Sequence, residues 1–81
     1  MENRIAHIGI IVGNTESAEK INHILHEAGE YIVGRMGIPY REKNVSVMSV
    51  VVDAPQSVTA SIAGKLGMLE GVTAKTVYAK L

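Results

Sequence analysis

The chain contains no cysteine, no tryptophan and no phenylalanine, and only 2 prolines and 3 tyrosines among its 81 residues. Without cysteine, these residues build no disulfide, no iron–sulfur ligand set and no thiol redox couple. With tyrosines only at Tyr31, Tyr40 and Tyr78, the aromatic platform on which a sheet stacks RNA bases is missing. Charge of neither sign prevails: Lys plus Arg number 8, Asp plus Glu number 8, and the formal net charge is +0. No one-signed field therefore reaches out for nucleic acid. Apolar runs stay well short of the ~20 residues of a membrane span. The opening "MENRIAHIGIIVGNTES" has no secretory cleavage pattern. A cytoplasmic chain forming one domain over residues 1–81 is expected, large enough to bury somewhat over ~60% of its unfolded surface.

Periodicity orders the elements. Arg4 to Val12, "RIAHIGIIV", is rich in β-branched residues and stops at Gly13-Asn14, which predicts a strand and a turn. In "NTESAEKINHILHEAG", Ile21, Ile24, Leu25 and Ala28 form one apolar helical stripe. Asn14 or Thr15 is the expected cap, and Gly29 the exit. "YIVGRMGIPY" predicts an irregular second strand and "NVSVMSVVVDA" a third, joined by the polar turn Arg41 to Asn44. Asp53 and Gln56 have capping-box spacing for a second helix, with Val58, Ile62, Leu66 and Leu69 on its buried face. "GVTAKTVYAKL" alternates as a fourth strand after Gly71. The order β-α-β-β-α-β predicts an α+β, ferredoxin-like sandwich: a four-stranded antiparallel sheet with two helices on one face.

The strands carry more apolar residues than one covered face needs. In the first, Ala6, Ile8, Ile10 and Val12 share one side, and Ile5, His7, Gly9 and Ile11 the other. In the third, Val45, Val47 and Val51 oppose Met48, Val50 and Val52. Two helices cover one face only, so the second is expected to meet another copy of the chain in a dimer or tetramer, with Ile5, His7, Gly9 and Ile11 at the interface.

Catalytic constellations are missing. Ser46, Ser49, Ser57 and Ser61 stand in no nucleophile elbow, and no carboxylate pair has a defined partner. His23 and His26, at i, i+3 on the first helix, lack a third metal ligand and are expected to be solvated. His7 is expected as a hydrogen-bonded interface residue. No metal site, catalytic residue or cofactor is therefore assigned. The segment "GRMGIPYRE" stands out. Arg35 and Arg41 are candidate anion ligands, and Gly34 and Gly37 admit close approach of a ligand or backbone. Gly37 and Tyr40, which lie between the arginines in this segment, join them as candidate ligand residues. The alternative is a solvent-facing arm whose arginines pair with Glu42, Glu30 or Glu27.

The stretch "EYIVGRMGIPYREKNVSVMSVVVDA", followed by "AGKLGMLEGVTAKTVYAK", resembles the small single-domain proteins named as regulators of the iron-only hydrogenase system. The resemblance covers nearly the whole chain, with "GRMGIPYRE" and Gly64 to Val72 its most specific parts. More distantly, that family resembles ACT domains and the C-terminal effector domain of the nickel-responsive repressor. The resemblance implies an ACT-like, oligomeric regulator that senses a small molecule, with Asn14 and Thr15, in the loop after the first strand, as further candidate ligand residues; a non-enzymatic module is the expectation. The alternative is a ligand-free scaffold for a maturation or redox enzyme. Nickel binding is not carried over, because Pro39, Arg41 and Val47 occupy the comparable region. Only three residues precede the first strand, so no DNA-binding arm is expected, and a role as transcriptional regulator requires a partner to contact DNA.

Overall fold

Ala6, Ile8, Ile10 and Val12 occupy alternate positions of the first strand, and all four side chains are buried in the computed structural model, which describes residues 2–80. The elements are β1 (Asn3–Val12), α1 (Ala18–Glu27), β2 (Ile32–Tyr40), β3 (Val45–Pro55), α2 (Gln56–Gly67) and β4 (Val72–Tyr78). The sheet order is β2-β3-β1-β4, every neighbouring pair antiparallel. This is the expected ferredoxin-like plan. Ile21 and Leu25 of α1 and Ile62 and Leu66 of α2 close one core cluster with Ile8, Ile10, Val50 and Val52. Among the described residues, no helix is long and apolar enough to cross a membrane.

Element ends depart from expectation where tertiary pairing outweighs local signals. Asp53 does not cap α2. It is paired with Ile5 inside β3, which runs on to Pro55, and α2 begins at Gln56 with no side-chain cap. The first helix is also shorter at its start. Asn14 Oδ1 accepts from the Glu16 backbone N–H at 2.9 Å and so caps a 3-10 turn, Thr15–Ser17, before α1 proper. The polar turn between β2 and β3 is a 3-10 turn, Arg41–Lys43, closed by Asn44 in the left-handed region at φ 56°. The fourth strand, expected to run through Leu81, ends at Tyr78, and Leu81 lies outside the described residues. Met1, the other end of the expected 1–81 domain, lies outside them too.

Long-range ties fix the two ends of the sheet. Gly71, at φ +73°, lies against the turn after β1, where Gly13 N–H donates to its carbonyl at 2.7 Å. A Cβ on Gly71 would stand 2.6 Å from Asn14 Cβ. Ser17, also buried, donates from Oγ to the Glu70 carbonyl at 2.8 Å. At the other end Arg4 donates from Nε and Nη2 to the Ala79 carbonyl, at 3.3 and 3.2 Å, and lies over the Tyr78 ring at 5.0 Å.

Thr59 is fully buried on α2, and among the described residues its Oγ1 has no hydrogen-bond partner. An unpaired buried hydroxyl costs free energy that valine, equally β-branched, avoids. Thr59→Val should therefore stabilise the protein by about 1 kcal/mol, or roughly 4–8 °C in Tm for a domain of this size. Thermal unfolding by circular dichroism measures this, and an unchanged or lower Tm refutes it. Gly71→Ala combines a disfavoured left-handed backbone with the Asn14 clash. It should lower the urea-unfolding free energy by about 2 kcal/mol or more.

Candidate functional site

Cross-strand partners in an antiparallel sheet share a face, so the β2–β3 register places each β2 residue. Ile32 pairs with Val52 but Gly34 pairs with Val51, leaving Val33 as an extra residue in a bulge. One extra residue inverts the side-chain phase beyond it. Arg35, Gly37 and Pro39 therefore face the helix layer with Val50, Met48 and Ser46. Gly34, Met36, Ile38 and Tyr40 face the uncovered side with Val51, Ser49, Val47 and Val45.

On the helix side, Arg35 overhangs a recess of about 220 Å³. Its floor is apolar, from Val12, Ala18, Ile21 and Met48, and its rim is polar, from Thr15, Asn22, Arg35 and Ser46. Arg35 Nη2 donates to Asn22 Oδ1 across the opening at 3.0 Å. The alternative pairing of Arg35 or Arg41 with Glu42, Glu30 or Glu27 does not occur among the described residues, where Glu27 pairs instead with His23 at 3.1 Å. A second recess of about 180 Å³ adjoins the first, sharing Thr15 and Ser46 and adding Tyr40, Arg41 and Asn44. Of the six candidate ligand residues, the structure brings Thr15, Arg35, Tyr40 and Arg41 to these two hollows. Asn14 and Gly37 line neither, and the Asn14 amide oxygen is engaged by Glu16. Asn22, Ser46 and Met48 also line the first recess, though none stands out in the sequence as a ligand residue. Ser46, a hydroxyl on the same side of β3 as Val50 and Val52, was the available sign.

The recess is chemically suited to a small anion with an apolar body. A guanidinium offers forked donors, and the first turn of α1 adds partial positive charge, offset by Glu16 and Glu19, neither of which lines the recess. Larger hollows are less suited. Between the helices Lys65 is accompanied by Glu27, and at the chain ends the Arg4 donors are already spent on Ala79 and Gln56.

The uncovered face is mostly apolar. Among the described residues, seven of the nine exposed large hydrophobics lie on it: Ile5, Ile11, Met36, Ile38, Tyr40, Val47 and Val77. Near its centre His7 Nδ1 and Ser49 Oγ are 3.2 Å apart, and Gly9 leaves a dip beside them. The four expected interface residues, Ile5, His7, Gly9 and Ile11, all stand on this face. His23 and His26 are exposed on α1, and no group of three or more metal-ligating side chains forms among the described residues.

A family model described as "TM1266-like: Iron-only hydrogenase system regulator, putative" matches residues 4–76. The chain belongs to this family. The solved structure of the uncharacterized protein TM1266 from Thermotoga maritima is similar to this TM1266-like chain at 32% identity. It covers 98% of this chain and 100% of its own, with a TM-score of 0.93. Two further structures share the fold alone. CPII, a nitrogen regulatory PII-like protein from Thiomonas intermedia K12, matches at 10% identity and a TM-score of 0.56, over 93% of this chain and 90% of its own. The periplasmic divalent cation tolerance protein CutA from Archaeoglobus fulgidus matches at 14% identity and a TM-score of 0.55, over 95% and 85%. No curated protein matches the chain significantly.

Arg35 and Arg41 are exposed, so Arg35→Ala and Arg41→Ala should each change stability by no more than about 0.5 kcal/mol. A drop in Tm beyond roughly 4 °C in either variant would mean that the arginine holds the fold rather than a ligand.

Proposed function

We propose that this TM1266-like protein is a cytoplasmic, non-enzymatic regulatory module of the iron-only hydrogenase system. Two copies associate through their uncovered sheet faces, and a small anion binds in the Arg35 recess. The observation that carries the reading is the concentration of exposed apolar side chains on the sheet face opposite the helices. Four strands about 4.8 Å apart and about ten residues long span roughly 20 by 33 Å. That is comparable with the ~800 Å² each partner buries in a standard interface. The strand residues of this face bring one cation, Lys75, and one anion, Asp53. Two identical copies therefore meet without an excess of like charge. Any effect on transcription passes through a partner that itself binds DNA, since the chain has no net positive charge.

A ligand-free scaffold that docks an enzyme on the same face is the second reading. It is favoured by one observation: Arg35 already has a protein partner in Asn22.

Light scattering at micromolar concentration should give twice the 8.7 kDa chain mass. Ile38→Asp should return it to the monomer, because a carboxylate placed in an apolar contact is strongly disfavoured. In thermal-shift assays with phosphate, acetate, amino acids and nucleotides, a true effector at 100 times its Kd should add ~2.7 kcal/mol, and Arg35→Ala should abolish the gain. Particles of single-chain mass at all concentrations refute the associative reading. A dimer that responds to none of the anions favours the scaffold.

A further inference from the structure

β2 is a wall common to both surfaces. Arg35 faces the recess, while Met36, Ile38 and Tyr40 face the apolar side. Beyond its ladder with β3, few contacts hold this strand. It lies at the edge of the sheet, and every residue from Val33 to Tyr40 is exposed. β1 and β3, by contrast, are fixed by the buried side chains of Ile8, Ile10, Val50 and Val52. Across the recess, the side-chain hydrogen bond that ties β2 to the helix layer is Arg35 Nη2 to Asn22 Oδ1. Segments with little buried apolar contact are the ones that shift at low cost.

We propose that the Arg35–Asn22 contact sets the inclination of β2, and with it the fit of Met36, Ile38 and Tyr40 against a second copy. Self-association and occupation of the recess are thereby linked. The inference rests on the reading of recess and interface given above and adds the coupling between them. An anion entering the recess draws guanidinium donors away from the Asn22 amide, and β2 settles differently against the helix layer. Linkage is reciprocal, so association changes anion affinity by the factor by which the anion changes association.

Asn22 decides the matter because it is exposed on α1, across the sheet from the apolar face. Asn22→Ala therefore releases Arg35 without altering any residue of that face. Sedimentation equilibrium of the full chain should show the dimer Kd changed at least about five-fold in Asn22→Ala. His23→Ala, an exposed neighbour on the same helix, should leave it within about two-fold. Inorganic phosphate at constant ionic strength should shift the wild-type Kd in the same direction as Asn22→Ala, while moving the Arg35 Nε–H NMR signal. A dimer whose Kd is the same in Asn22→Ala and wild type overturns the linkage and leaves the interface standing. So does phosphate that moves the Arg35 signal without changing the Kd. A monomeric wild type, or an Arg35 signal indifferent to phosphate, overturns the underlying reading and the linkage with it.

Discussion

Ile8 and Ile10 of β1 and Val50 and Val52 of β3 are sealed beneath Ile21, Leu25, Ile62 and Leu66 of the helices, and this contact positions everything else. The two central strands are held by it. The two outer strands take their places by pairing with the centre. Because both helices are used on one side, the opposite side of a β-branched sheet is left bare. The same packing that stabilises the chain thus leaves a broad apolar surface exposed, and each exposed apolar residue there is a by-product of strands that are apolar on both sides.

Much of this architecture is legible in the sequence because it depends on period. The alternation in "RIAHIGIIV" separates the buried Ala6, Ile8, Ile10 and Val12 from Ile5, His7, Gly9 and Ile11, and the α1 stripe includes Ile21 and Leu25. Caps and ends are less legible, since they depend on competition with distant partners. Asp53 reads locally as a cap, yet its backbone is committed to Ile5, 48 positions away in the chain order. The recess was half visible. Arg35, Arg41, Tyr40 and Thr15 stand out as residue types, whereas Asn22 and Ser46 become part of it only when α1 crosses the sheet. Thr59, unpaired in the core, had no local sign at all.

Family membership fits a chain with little chemistry of its own. It has no thiol and no cluster of metal ligands among the described residues, and its one His–Ser contact lies on an open face without an orienting carboxylate. What the fold offers instead is a pair of surfaces back to back across one sheet, one concave and polar at its rim, the other broad and apolar.

The bulge at Val33 has a genetic corollary. Deleting that single codon would leave composition, charge and hydropathy almost untouched, yet the outer part of the strand would turn inside out. Methionine, isoleucine and tyrosine would then crowd toward the helices, and the arginine would swing to the opposite side. Relatives that gain or lose one residue here should be expected to exchange the characters of their two surfaces, however similar they look letter by letter. Spacing, more than identity, is what descent must preserve in this segment.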